Sequence, residues 1–345
     1  MITENGGETP SYKQNWPAYN QAKQSEKLTL LALLDELTAL CLEERPQKQR
    51  GRPANSLRDK VFYAVLQAYN QKASRRTISY LLLAKHLGYV DKVPHFNTLL
   101  GGLRNAKLGI VLQKLVTLSA LPLKAMEEHF AVDSSGWSTT RYGRWFDVRT
   151  GSDSKKRQYI KAHVSVGATT NVIASIRITP YNVHDTNPFP ELVRETADYF
   201  DVKEVSADKA YLSDFNLSLV EELGAVPYIP FKSNNKPGKW GGTASRGRTS
   251  KSRIWKQMLL LFTYRPEEFS QHYHKRSNVE TSFHMLKLVF GGTLRSKTYE
   301  SQQNELLAKA LTHNLCVLAQ EAAETGINLY KENVQETLLA HKITI

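Results

Sequence analysis

Three acidic residues, far apart in the chain, have side chains and settings suited to holding divalent metal ions. Two short apolar runs end in aspartate in the same manner, at Asp133 and at Asp208, and Glu280 follows in a long helical segment. Carboxylates of this kind hold two Mg²⁺ ions about 3.5–4 Å apart, one activating an attacking hydroxyl and one stabilising a leaving oxygen. The set therefore indicates phosphodiester chemistry. The alternative is that Asp133 and Asp208 are ordinary turn residues at strand ends.

The segment around Glu280 carries further polar side chains at helical spacing. At 100° per residue, Tyr273, Arg276, Glu280 and Lys287 project from one arc of about 60°. The apolar residues of the segment lie on the neighbouring side of the same helix: Val279, Phe283, Leu286 and Phe290. Cations beside a metal-binding carboxylate suit DNA phosphates, and a guanidinium can grip one with two hydrogen bonds. The alternative is a row of salt bridges on the helix surface that includes the Arg276–Glu280 pair. Such a row does not explain why Tyr273 lies on the same face.

The second half of the chain predicts a sheet that positions these carboxylates. Alternating or apolar runs indicate five strands, at 129–133, 163–166, 173–178, 204–208 and 226–231, and the segments 187–200, 213–223, 269–290 and 300–325 read as helices. This order predicts an α/β fold, a mixed five-stranded sheet with flanking helices. If the first and fourth strands are neighbours, Asp133 and Asp208 emerge at adjacent carboxyl ends, where open α/β sheets place their sites.

The first half of the chain reads as helical, with candidate helices at 25–44, 55–70, 74–87, from about 97, and 107–118. Short helices, short turns and a basic entry segment suit a helix-turn-helix module, which would lay one helix in the major groove of DNA. A plain helical packing domain fits the same pattern. We therefore expect an all-α domain at 1–125 and a catalytic domain at 126–345, with a basic loop insertion at 232–255.

Positive charge is concentrated in two windows of this 345-residue chain, whose net charge is +13. Arg45–Arg76 carries nine basic residues against one acid, and Lys232–Lys256 carries eight against none, so the remainder sums to 13 − 8 − 8 = −3. Such clustering favours a polyanion as partner over a merely solvated face. The candidate DNA-binding residues from these windows are Arg52, Arg75, Arg76, Lys236, Lys239, Arg246 and Arg248.

The two cysteines, Cys41 and Cys316, are too few for a disulfide framework or a cysteine zinc site. The amino terminus lacks the basic and apolar regions of a secretory signal. The longest apolar runs, Leu30–Leu34 and Met258–Phe262, are far shorter than the roughly 18–20 residues that cross a bilayer. From these observations we expect a cytoplasmic protein without a membrane partner.

The arrangement Tyr273-x2-Arg276-x3-Glu280-x6-Lys287 matches the Y-R-E-K signature of bacterial insertion-sequence transposases of the DDE type. The segments that contain Asp133, Asp208 and Tyr273 look like the three acidic boxes of that family, and the resemblance covers about residues 132–321. It implies a ribonuclease-H-like catalytic domain whose metal-binding triad is Asp133, Asp208 and Glu280. It also implies two Mg²⁺ ions, with Mn²⁺ able to substitute.

The same resemblance implies a reaction on double-stranded DNA. Water cleaves the 3′ ends of the element at its terminal inverted repeats, and the freed 3′-hydroxyls attack target DNA, while Tyr273, Arg276 and Lys287 hold phosphates near the cut. Joining two ends implies a homodimer on DNA, associated with the bacterial nucleoid. One departure concerns the 71 residues between Asp208 and Glu280, which are too few for the large β-rich insertion of some relatives.

Two rival functions remain open on the sequence. A metal-dependent nuclease without strand transfer would use the same triad, and a domesticated sequence-specific DNA-binding protein would keep the fold without the chemistry. Near the motifs, His163 and His184 are interpreted as structural histidines, and Asp185 as the cap of the 187–200 helix. Trp240 and Trp255 fit either base stacking or structural anchoring.

Overall fold

The amino-terminal half is a set of helices, as the apolar periodicity predicts. The computed structural model describes residues 15–43, 55–139, 149, 159–237, 251–326, 329, 332–341 and 343–344. The first helices are α1 (Trp16–Cys41), α2 (Leu57–Asn70), α3 (Ser74–His86), α4 (Phe96–Gly102) and α5 (Ala106–Ser119). After α1, the two-residue strand β1 (Leu42–Glu43) pairs in parallel with β7 (Ile343–Thr344) near the carboxyl terminus. The first helix begins nine residues earlier than predicted, at Trp16, where Asn15 accepts a hydrogen bond from the Ala18 amide.

The predicted mixed five-stranded sheet is confirmed. Its strands are β2 (His129–Ser138), β3 (Tyr159–Gly167), β4 (Ile173–Pro180), β5 (Glu204–Ala207) and β6 (Val226–Tyr228), in the spatial order β4-β3-β2-β5-β6. The strands β2, β3 and β4 form an antiparallel meander, whereas β5 and β6 run parallel to β2. The strand β2 continues five residues beyond its predicted end, because Ser134–Ser138 pair with the start of β3.

The remaining helices flank the sheet or follow it. They are α6 (Phe189–Tyr199), α7 (Asp214–Glu222), α8 (Arg253–Tyr264), α9 (Pro266–Tyr273), α10 (Ser277–Phe290), α11 (Tyr299–Thr325) and α12 (Glu332–Ala340). The single helix predicted at 269–290 is wrong, because three residues of 3₁₀ helix, His274–Arg276, separate α9 from α10. His272 at the end of α9 and Lys275 on this turn both contact the Glu204 carboxylate of β5. Such a tertiary contact leaves no trace in local periodicity.

The long helix α11 joins the two halves of the chain. It packs against α1, α2 and α5 and also contacts β4. At its centre the buried Asn314 accepts a hydrogen bond from the Ile173 amide at 2.9 Å and donates to the Val116 carbonyl at 3.0 Å. One apolar core therefore extends across residue 125. The division into domains at that residue stays a prediction.

One described segment, Ala106–Met126, is long and apolar enough to cross a membrane, with a mean hydropathy of 1.4. The expectation that no such segment exists is therefore wrong. Isolated lysines and glutamines interrupt the apolar residues of this segment, but they lower its mean hydropathy only slightly. The segment comprises α5 and a 3₁₀ turn, Leu121–Met126, and most of its apolar part is buried inside the protein. Since α5 packs against α11 and β4, its composition is that of a core helix.

Candidate active site

The two aspartates leave the sheet side by side. Val132 of β2 lies opposite Ala207 of β5 in parallel pairing, so Asp133 and Asp208 are the next residues on neighbouring strands, which are spaced about 4.8 Å apart. Each carboxylate is turned by a local hydrogen bond: Asp133 Oδ1 accepts from the Ser134 amide at 2.8 Å, and Asp208 Oδ1 accepts from the Lys209 amide at 2.6 Å. The strand adjacency expected from the sequence is thus present.

Arg276 bridges the first and the third acidic residue. Its Nη2 donates to Asp133 Oδ2 at 2.9 Å, and its Nη1 donates to Glu280 Oε1 at 2.8 Å. The side chains of Asp133 and Arg276 are 18% and 19% exposed, whereas that of Glu280 is 60% exposed. The guanidinium therefore holds a half-buried carboxylate on one side and a solvated one on the other.

The charges of the three acids act on one another. Burial raises the pKa of Asp133, and the negative charges of Asp208 and Glu280 raise it further. The Ser134 amide and the Arg276 guanidinium oppose this rise. Asp133 thus lies near two further negative charges while one guanidinium is shared between Asp133 and Glu280, so added positive charge is favourable at this site.

Tyr273 and Lys287 face the same edge of the sheet. Tyr273 ends α9, and although burial is the main reason that its pKa is raised, Arg276 and Asp208 also act on it. Lys287 Nζ donates to Ser135 Oγ at 2.6 Å and lies 4.9 Å from the centre of the Trp137 ring. Tyr273, Arg276, Glu280 and Lys287 thus lie beside the middle of β2, although they are carried by α9, a 3₁₀ turn and α10 rather than by one helix.

These donors fit a divalent cation by their chemistry, because they are carboxylate oxygens that already surround a positive group. Within the described residues, no three acidic, histidine or cysteine side chains converge closely enough to hold a metal ion as they stand. Arg276 occupies the place between Asp133 and Glu280. Metal binding at this site would therefore require the guanidinium to exchange its partners.

A second polar group beside Asp133 was not singled out from the sequence. Lys161 of β3 donates to Asp185 Oδ1 at 2.8 Å and to the Val183 carbonyl at 2.7 Å. Burial alone would raise the pKa of Asp185, but Lys161 and the nearby Ser134 side chain lower it. The prediction that Asp185 caps a helix is wrong, since α6 starts at Phe189 without a side-chain cap. The sequence does contain an indication of this polar group. Lys161 and His163 are two positions apart in a strand, so their side chains lie on the same face of the sheet.

The two histidines near the motifs differ. His163 is fully buried, its pKa is lowered by burial to about 4, and its Nε2 lies 2.8 Å from Thr179 Oγ1. This geometry agrees with a neutral, structural histidine, although its Nδ1 has no hydrogen-bond partner in the described part of the chain. His184 is exposed, and its interpretation as a structural histidine stays a prediction.

Of the basic residues proposed to contact DNA from the two positively charged windows, the structure describes Arg75, Arg76 and Lys236. All three are exposed, the arginines in the first turn of α3, where the Arg75 guanidinium lies 4.6 Å from the centre of the Phe96 ring. Trp255 is buried against Phe231 and serves as a core anchor. Outside the described residues lie Arg52, Lys239, Arg246, Arg248 and Trp240.

Comparison with known proteins identifies the family. Residues 124–315, which include Asp133, Asp208 and Glu280, match the model of the transposase DDE domain. Among solved structures, the chain is similar to the piggyBac transposase in its synaptic complex with hairpin DNA, at 11% sequence identity, a TM-score of 0.44, and coverage of 90% of this chain and 79% of that chain. Because the family match extends over more than half of the sequence, the chain belongs to the DDE transposase family and is a transposase.

Proposed function

We propose that this transposase binds the ends of a bacterial insertion sequence, cleaves them at their 3′ ends and joins them to target DNA, with Asp133, Asp208 and Glu280 as metal ligands. The observation that carries the proposal is the Arg276 bridge. One guanidinium contacts Asp133 and Glu280 beside a neighbouring strand that ends in Asp208. The guanidinium thereby joins two acids far apart in the sequence, and strand pairing brings the third beside them.

Bound Mg²⁺ or Mn²⁺ would activate the attacking hydroxyl and stabilise the leaving oxygen. The chain's own contribution is to hold Asp133 half-buried beside Asp208 and Glu280 and to supply cations next to them. Arg276 is suited to exchange, because a DNA phosphate offers its guanidinium the same two-oxygen geometry as a carboxylate. Tyr273 and Lys287 lie at the same edge and would fix the DNA backbone near the cut.

Recognition of the element ends is assigned to the amino-terminal helices, read as a helix-turn-helix-like domain at 1–125 that precedes a ribonuclease-H-like domain at 126–345. The exposed Arg75 and Arg76 at the start of α3 would contact phosphates. The basic loop around Lys236 would add affinity without specificity, since phosphate contacts do not read sequence. Two ends must be joined, so we propose that the protein works as a homodimer on DNA.

The test incubates the full-length protein with Mg²⁺, supercoiled target DNA and a duplex that carries the inverted repeats flanking its gene. Cleavage at the 3′ ends followed by strand transfer is the expected result. Hydrolysis without joined products would instead favour a metal-dependent nuclease. Specific binding without any cleavage would favour a domesticated DNA-binding protein. Asp133→Asn, which removes one carboxylate charge, serves as the control for contaminating nucleases.

A further inference from the structure

Tyr211 places an unpaired hydroxyl inside the protein beside the candidate site. The residue follows Asp208 by three positions, in the 3₁₀ turn Lys209–Tyr211, and only 1% of it is exposed. Its hydroxyl oxygen is buried without a hydrogen-bond partner among the described residues. An unpaired buried hydroxyl costs about 1–3 kcal/mol, so a fold that retains one suggests that a partner is present in another state.

The position of this hydroxyl is fixed from both ends of the residue. The Tyr211 ring packs against Phe189, with 5.6 Å between ring centres. The buried Asn216 donates from Nδ2 to the Tyr211 carbonyl at 2.7 Å and to Thr186 Oγ1 at 3.0 Å. With the ring and the backbone both held, rotation of the O–H bond is the freedom left to the group. Tyr211 is thus a preorganised hydrogen-bond donor.

The charge that acts most strongly on Tyr211 is that of Asp133. Burial raises the pKa of the phenol and the negative charge of Asp133 raises it further, whereas the nearby Ser134 side chain lowers it, and on balance the hydroxyl keeps its proton. In the structure described, Asp133 is already supplied by two donors, the Ser134 amide on Oδ1 and Arg276 on Oδ2. The phenol therefore lies near a carboxylate whose two oxygens are already held by other donors.

We propose that Tyr211 is a positioning residue for Asp133, and that its hydroxyl donates to this carboxylate once Asp133 has exchanged Arg276 for a divalent cation. The inference rests on the proposed metal-binding role of Asp133. Carboxylates that bind metals are commonly held by a further hydrogen bond, and loss of such a partner typically weakens metal binding about 10–100-fold. Asp208 would then contribute twice, as a ligand and as the start of the turn that carries Tyr211.

The experiment measures Mn²⁺ binding to the full-length protein without DNA by isothermal titration calorimetry, together with thermal unfolding of the metal-free protein. The variants are Tyr211→Phe and Asp133→Asn. Tyr211→Phe should bind Mn²⁺ about 10–100-fold more weakly than the wild type. Its metal-free unfolding temperature should be unchanged or slightly higher, because the hydroxyl that is removed has no partner in that state.

Tyr63→Phe is the matched control. Tyr63 is also buried, but its hydroxyl donates to the Lys92 carbonyl, far along the chain from the carboxylates. This variant should lose metal-free stability and keep its Mn²⁺ affinity. The opposite pattern of the two tyrosines is what a merely structural role for Tyr211 cannot produce.

Two results would overturn the inference in distinguishable ways. If Asp133→Asn abolishes Mn²⁺ binding while Tyr211→Phe binds as tightly as the wild type, Tyr211 does not position Asp133 and the proposed function is untouched. If the wild type shows no Mn²⁺ binding that depends on Asp133, the proposed metal site fails and the inference fails with it. A folded Tyr211→Phe protein with lower metal-free stability and full Mn²⁺ affinity also counts against the proposal.

Discussion

Glu127 and Asp133 are carboxylates six positions apart, one fully buried and one partly exposed, and their surroundings differ in kind. Glu127 is fully buried and accepts from the Thr170 amide at 2.6 Å, from the Thr170 hydroxyl at 2.8 Å and from the Thr169 amide. Asp133 is partly exposed and is held by a guanidinium beside two like charges. Burial raises the pKa of both. A raised pKa therefore does not separate a structural carboxylate from a functional one, whereas the nature of its partners does.

The space around the two carboxylates differs as well. A Cβ atom at Gly167 would lie 2.3 Å from the carboxyl carbon of Glu127, so this glycine is required by the close approach of the side chain. Asp133 is packed less tightly. Its partner Arg276 also forms a salt bridge with the solvent-exposed Glu280. Glu127 is held in place by neutral hydrogen-bond donors and by tight packing. Asp133 is held by a charged guanidinium that can exchange its partners, so Asp133 can still bind a ligand.

The largest expected effect is the loss of cleavage in Asp133→Asn and Asp208→Asn. Each amide keeps the shape of the side chain but removes the negative charge, so cleavage of element-end DNA should fall at least about 1000-fold, which corresponds to several kcal/mol. DNA binding, measured by gel shift, should stay within a few-fold of the wild type. Robust cleavage by either variant would exclude that aspartate from the metal site and would weaken the contrast with Glu127.

Glu127→Ala should act on stability and not on chemistry. Removing the carboxylate leaves the amides of Thr169 and Thr170 and one hydroxyl without a buried acceptor, and we expect a loss of roughly 3 kcal/mol in the free energy of unfolding. Denaturant unfolding measures this loss. At a temperature where the variant is folded, its cleavage rate should equal that of the wild type. A selective loss of cleavage would place Glu127 among the functional residues.

Arg276→Ala and Lys287→Ala should separate joining from cutting. If these cations position DNA phosphates, strand transfer should fall about 100-fold more than hydrolysis of a simple supercoiled substrate, since a misplacement of about 1 Å can cost that much. Both rates are measured on one preparation, so differences in protein quality cancel in the ratio. Glu280→Gln, which removes a proposed ligand, should lose both activities together. Equal losses in all three variants would contradict the positioning role.

The smallest effect concerns pH and Glu321. Burial, Glu324 and Glu127 raise the pKa of Glu321 to about 7. Between its ordinary value near 4.5 and about 7, the folded state holds a proton that the unfolded state has released, so stability decreases as the pH rises through this window. Glu321→Gln should remove that slope and add roughly 1 kcal/mol at pH 8, a figure reduced for solvent screening. Unfolding measured at pH 5 and pH 8 tests this.

The sequence predicted the sheet and its carboxylates because both depend on local patterns. Strand-end aspartates are visible in short apolar runs, and the order of strands and helices restricts the sheet to few arrangements. The spacing from Tyr273 to Lys287 predicted that these side chains face one site, and their role there stays a prediction. It did not predict the break at His274–Arg276. Nor did it single out Lys161, whose ion pair with Asp185 joins residues distant in sequence, or Tyr211, for which we propose a positioning role.

The position of Asn314 has a consequence for dissecting the protein. Its side chain joins Val116 and Ser119 at the end of α5 to Ile173 of the sheet, and the helix that carries it covers α1 and α2 as well. A chain cut near residue 125 would therefore divide one core between two polypeptides. We expect each half to be insoluble alone and the two to reassemble when they are produced together, as in a split-protein complementation assay. Activity regained on mixing would then show that α11 has packed against the helices of the other half.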